Sequence, residues 1–239
     1  MANPAFSEKT FSKIAYSSDY SNAMTVNGSI QKSLILLSLT VASSAGAWYV
    51  VANNPAMLLP FLIGGSIGGL ILAIFLTFKQ HLAATLAPMY AIAEGLAVGS
   101  ISLILQEFAG IAILLTFGVA FIMLGIYRSG LIPVTDKLRF GISAATGAIA
   151  LFYVASMVLR MFGVQMPYLH DGGMLSIGIS LAVIGVAAFN LLLDFDLIET
   201  GAEMGAPKYM EWYAAFGLLV TLIWLYLEIL KLLSKLSRR

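Results

Sequence analysis

The sequence contains no cysteine, so disulfides, zinc–thiolate sites and thiol catalysis are excluded. Its two histidines, His81 and His170, lie far apart, which argues against an imidazole metal cluster. Charge is scarce as well. Only 10% of the 239 residues are Asp, Glu, Lys or Arg, against about 25% in a soluble domain. The formal net charge is +1, and no basic patch is interleaved with aromatic residues, so nucleic acid is not an expected partner. No HExxH, Walker A or GxGxxG fingerprint is present, nor a Gly-x-Gly-Asp element of the intramembrane protease kind. The chain is not expected to be an enzyme or to carry a resident cofactor.

Apolar residues fill the space that charge leaves. They make up 60% of the chain, and the mean hydropathy is +0.93. A bilayer crossing needs about 20 predominantly apolar residues. Seven runs meet that length, at 33–51, 58–78, 82–105, 111–127, 140–162, 174–193 and 213–233. The expected fold is therefore an all-α, polytopic membrane bundle of seven transmembrane helices, with the lipid bilayer as its first partner. Residues 1–32 lack the apolar core of a cleavable leader and read as a polar cytoplasmic tail before a transmembrane domain at 33–239. No connecting segment is long enough to hold a soluble domain, so function must reside in the bundle.

The basic residues set an orientation. Lys9, Lys13, Lys32, Lys79, Arg128, Lys137, Arg139 and Lys208 fall on one side of a seven-span topology. Arg160, Lys231, Lys235, Arg238 and Arg239 fall on the other. The first group is the larger, which places the amino terminus in the cytoplasm. Small residues recur at helix-packing spacing, with Gly64/Gly68 and Gly65/Gly69 in the second run and Gly95/Gly99 in the third. Such pairs let backbones approach where hydrophobic burial cannot drive association. Packing within one bundle is the expected use.

Carboxylates inside apolar runs are costly and call for a physical reason. Asp194 closes the sixth run in Asn190-Leu191-Leu192-Leu193-Asp194-Phe195-Asp196, and Asn190 lies one turn earlier on the same helical face. Glu94 lies near the middle of the third run, with Tyr90 one turn before it. Glu228 lies well inside the last run, where Lys231 at i+3 offers a local ion pair. Asp196, Glu199, Glu203 and Glu211 read as a solvated helix end, although Asp196 is also placed to act as a ligand at a pore mouth. A carboxylate pair that shares one proton makes a proton-dependent switch. Hard oxygen ligands also suit Ca²⁺, and without an EF-hand loop the expectation is a transient site at Asp194 and Glu94 rather than a tight one.

These features together resemble the Bax inhibitor-1 family, the transmembrane Bax inhibitor motif proteins, in a bacterial-type version. The resemblance rests on the seven closely connected spans, on Tyr90-Ala91-Ile92-Ala93-Glu94-Gly95-Leu96-Ala97-Val98-Gly99, on Leu193-Asp194-Phe195-Asp196-Leu197-Ile198, and on Leu225-Tyr226-Leu227-Glu228-Ile229. It covers 33–233 and leaves the polar tail outside. It implies helices arranged around a central last helix. It also implies a pH-sensitive Ca²⁺ leak gated by an acidic dyad between the sixth and seventh helices. By motif, Asp194 and Glu228 take the dyad positions, and Lys79 supplies a nearby cation.

Helix rise argues otherwise. A straight hairpin turning near Gly205 leaves Asp194 and Glu228 roughly 18 Å apart in depth and sets residues 216–220 opposite Asp194. Glu94 is then the other candidate partner. The expected function is a pH-sensitive cation leak of the inner membrane, most readily for Ca²⁺. The alternative is an interaction protein whose tail restrains another membrane complex, such as a quality-control protease.

Overall fold

The computed structural model describes residues 22–162 and 173–237. Among these it is built from seven long helices, each long and apolar enough to cross a membrane. They are α1 Val26–Asn53, α2 Leu58–Phe78, α3 Ala83–Ile104, α4 Gln106–Arg128, α5 Asp136–Met161, α6 Met174–Glu203 and α7 Met210–Ser237. Single 3-10 turns at Pro55–Met57 and Gln80–Leu82 close the first two bends. The all-α, seven-span architecture is the one the hydropathy pattern requires.

The helices continue where the apolar runs stop. α1 begins at Val26, inside the segment read as a polar tail, because Thr25 caps it. The Gly28 N–H donates to Thr25 Oγ1 at 2.9 Å, satisfying one of the orphan donors of the first turn. The remainder of that tail, residues 1–21, lies outside the described residues. α6 likewise runs to Glu203 rather than 193 and reaches 30 residues. It ends where Gly205 takes a left-handed φ of 67° and the Ala206 N–H reaches back to Gly201 O at 3.0 Å. That wide turn-closing bond needs a residue without a Cβ penalty at Gly205.

α7 forms the centre. It contributes more buried side chains than any other helix, with Tyr213, Leu225 and Leu230 sealed off completely. It packs on α6, α1, α4 and α3. Contacts fix the directions. Arg139 and Thr146 of α5 meet Asp196 and Asn190 of α6 in reverse order, so these two helices are antiparallel. Tyr90 and Ser102 of α3 meet Phe216 and Tyr226 of α7 in the same order, so α3 and α7 run the same way. The small-residue pairs serve the interior. Gly65 and Gly69 lie against α3, and Gly95 and Gly99 lie against α1, whereas Gly64 faces open space. Ser43 Oγ donates to Ile92 O at 2.8 Å and Ser44 Oγ to Gly95 O at 3.0 Å, joining α1 to α3 with polar contacts typical of helices packed in lipid.

Candidate functional site

Asp194 is carried to the α6–α7 interface by the helical register it shares with Asn190 and Leu191, which are buried with it. It is 3% exposed, and its Oδ2 has no hydrogen-bond partner among the described residues. Among the described residues its side-chain partner is the Thr221 hydroxyl of α7. That hydroxyl also makes a long bond to Gly217 O at 3.3 Å. One hydroxyl carries one proton, so Thr221 can donate fully to the carboxylate or to its own helix, but not to both.

The acid expected opposite Asp194 is elsewhere. Glu228 lies seven residues beyond Thr221, two turns or about 10 Å further along α7. It is buried against its own helix and α5, where its Oε1 accepts from Lys231 Nζ at 2.7 Å and from the Tyr153 hydroxyl at 3.0 Å. Lys231 also sits 5.0 Å from the Tyr153 ring centre. The expected Asp194–Glu228 dyad is therefore not assembled. The short sequence motif matched, but helix rise decides depth.

Glu94 does reach the depth of Thr221, since Tyr90, one turn before it, packs edge-on against Phe216 of α7 at 4.8 Å. Its carboxyl group nevertheless rests on Gly69 of α2, away from α6. Asp194 and Glu94, expected to share a transient Ca²⁺, thus occupy separate interfaces. Tyr90 is an electrostatic neighbour of Glu94 without a hydrogen bond to it.

The supporting residues divide in the same way. Asn190 is engaged with α5, its Nδ2 donating to Thr146 Oγ1 and Val186 O, each at 2.8 Å. Lys79 is exposed at the end of α2 and makes no ion pair among the described residues, so the structure does not bring it to Asp194. Asp196, one step beyond the buried segment, forms an ion pair with Arg139 of α5 at 2.6 Å. Glu199 accepts from the Tyr127 hydroxyl of α4, and Glu203 is exposed.

Glu211 departs furthest from the solvated helix end read in the sequence, for it is 1% exposed. Its Oε1 accepts from both the backbone N–H and the hydroxyl of Thr25, at 3.1 and 2.9 Å. This sets a carboxylate at the positive end of the α1 dipole. The chain on either side is strapped in place. Met24 N–H donates to Ala206 O at 2.6 Å, Lys208 N–H donates to Asn22 O at 2.9 Å, and Lys32 lies 5.2 Å from the Trp212 ring centre. The start of α1 is thereby tied to the turn that joins α6 and α7.

A Cβ at Gly28 would fall within the Glu211 carboxylate. Gly28→Ala is therefore expected to lower unfolding stability by about 1–3 kcal/mol, the range for overpacking, and to do so far less when Glu211 is also Ala. Thermal unfolding of the four proteins in micelles measures this. An equal loss in both backgrounds would mean that the carboxylate does not fill the space beside Gly28.

These features define a polytopic membrane protein with a buried carboxyl–hydroxyl contact between its last two helices. The chain belongs to the Bax inhibitor 1 like family, whose model matches residues 3–238. The match takes in nearly all of the polar tail, which the sequence resemblance leaves outside. No curated protein and no solved structure matches the chain.

Sequence reasoning reached Asp194 but missed Thr221 and Glu211. A threonine within an apolar run usually returns its hydroxyl to the i−4 carbonyl and gives no signal. Glu211, in a polar turn, resembles any solvated acid.

Proposed function

We propose that this protein is a pH-sensitive cation leak of the inner membrane, with Ca²⁺ as the expected permeant ion, its amino terminus in the cytoplasm and Asp194 as its gate. The observation that carries this reading is the buried Asp194 carboxyl group, with one oxygen unpartnered and a single switchable hydroxyl opposite. An ionised carboxylate in a low-dielectric interface attracts a cation strongly, and a proton competes for the same charge. In the ionised state Thr221 donates to Asp194. In the protonated state Asp194 can itself donate, and the Thr221 hydroxyl turns back to Gly217 O. The switch thus couples one proton to a hydroxyl rotation at the contact between α6 and α7.

The protein moves ions rather than catalysing a reaction, and it needs no resident cofactor. The orientation rests on the excess of Lys and Arg at the end of the bundle where α1 begins, which includes Lys32, Lys79, Arg128, Lys137, Arg139 and Lys208.

The direct test is Ca²⁺ flux from liposomes containing the purified protein, followed from pH 8 to pH 6. Flux above that of empty liposomes is expected, several-fold greater at pH 8 than at pH 6 because the proton removes the charge that attracts the cation. An absent flux, or one unchanged over this range, would sink the proposal.

A further inference from the structure

α1 and α4 both pack on α7, yet along their lengths a cleft separates them, with Leu219, Leu222, Ile223 and Tyr226 of the central helix at its floor. The cleft holds two chambers. One, of about 780 Å³, lies toward the end of α1 and is lined by Thr40, Trp48, Ile113, Ile223 and Tyr226 among others. The second, of about 590 Å³, lies toward the start of α1 and is lined by Ile30, Leu34, Phe121, Arg128 and Glu199 among others. They meet at mid-depth, where Leu37, Phe117, Leu219 and Leu222 border both.

We propose that these chambers are two phospholipid sites, one for each leaflet, and that the chamber at the start of α1 selects a lipid with an acidic headgroup. Three observations favour lipid. First, the walls are apolar through the membrane interior, where acyl chains are the available solvent. Second, the cleft is divided at mid-depth into two chambers that share Leu37, Phe117, Leu219 and Leu222. A partner helix lying along α7 would need one continuous trough, whereas two lipids entering from opposite surfaces need only end near the middle.

Third, only the chamber at the start of α1 is lined by a cationic side chain able to bind a phosphate. Arg128 stands at one mouth, is exposed and has no ion-pair partner among the described residues. Glu199 beside it is engaged by the Tyr127 hydroxyl. A guanidinium at this level suits a lipid phosphate, which it can bind through paired charge-assisted hydrogen bonds. The opposite mouth has Trp48 and Tyr49, aromatic residues that favour the membrane–water interface without selecting charge. Both lipids would touch Leu219 and Leu222, which flank Thr221 on α7.

The test is native mass spectrometry of the full chain released from nanodiscs of mixed phosphatidylglycerol and phosphatidylcholine. The wild type is expected to retain two lipids after mild delipidation, at least one of them phosphatidylglycerol. Ala120→Trp, which fills the chamber at the start of α1, is expected to leave one lipid with no preference for the acidic headgroup. Ala45→Trp, which fills the other, is expected to leave one that is phosphatidylglycerol. Arg128→Gln changes only an exposed side chain and does not depend on tolerance of a tryptophan in the cleft. It should cut phosphatidylglycerol retention about fivefold relative to phosphatidylcholine.

Three results would overturn the proposal. They are a wild type that retains no lipid, headgroup selection unchanged by Arg128→Gln, or a polypeptide that copurifies with the wild type and is lost on filling either chamber. None of these readouts requires the protein to conduct ions.

Discussion

Asp194→Asn is expected to reduce Ca²⁺ flux at pH 8 at least tenfold and to leave it flat between pH 8 and pH 6, in a protein that still folds. Asn has nearly the shape of Asp and offers an amide oxygen to the Thr221 hydroxyl, so the α6–α7 contact keeps its hydrogen bond. What disappears is the charge. Two unit charges 4 Å apart attract by roughly 4 kcal/mol at an effective dielectric of 20, so a tenfold loss is a modest expectation.

A loss of stability has a separate cause. The amide N–H₂ would inherit the position of Oδ2, which has no partner now, and an unsatisfied buried donor costs about 1–3 kcal/mol. Size-exclusion chromatography and thermal unfolding separate this from misfolding. A folded Asn variant with the wild-type pH profile would exclude Asp194 as the gate. A reduced flux that kept its pH dependence would shift proton sensing to Glu94 or Glu228.

Gly99→Val is expected to destabilise the bundle strongly. At Gly99 the backbone of α3 lies against the backbone of α1 so closely that even an alanine Cβ would come within 2.8 Å of Ser44 Cα. Unlike a side-chain tip, a helix backbone cannot turn aside, so α1 must move away. That movement would break the Ser43–Ile92 and Ser44–Gly95 hydrogen bonds together and loosen the packing of α1 on α7. The loss should reach the upper end of the overpacking range, about 3 kcal/mol, and appear as aggregated or proteolysed protein.

Gly64→Val provides the control. No atom lies within 4 Å of the position a Cβ would take there, and a surface change of this kind should stay within about 0.5 kcal/mol. Equal stability of the two variants would show that α1 and α3 do not touch at Gly99. Equal destabilisation would place Gly64 in an interface.

The match between sequence and structure is uneven, and for a consistent reason. Spans were legible because hydropathy and length are local properties, yet their ends were not. α1 starts at Val26 because Thr25 caps it, and α6 continues through Asp196 and Glu199, to which Arg139 and Tyr127 of neighbouring helices donate hydrogen bonds. The motif Leu225-Tyr226-Leu227-Glu228 suggested a partner for Asp194, while the 1.5 Å rise per residue argued for a residue near 220. The structure follows the rise, with Thr221 at that depth. Glu211 gave no warning, because its burial depends on Thr25 and Gly28, residues more than 180 positions away.

The sequence by itself determined that this is a seven-span membrane protein of an identifiable family, and that Asp194 is a carboxyl group in an apolar run. Each of these follows from composition and order along one chain segment. Only the tertiary structure decided that Asp194 faces a hydroxyl rather than a second acid, that Glu228 is held by Lys231 and Tyr153, and that Glu211 fastens α1 to the α6–α7 turn. A side chain's neighbours depend on the depth and rotation of a second helix. No local pattern specifies either quantity.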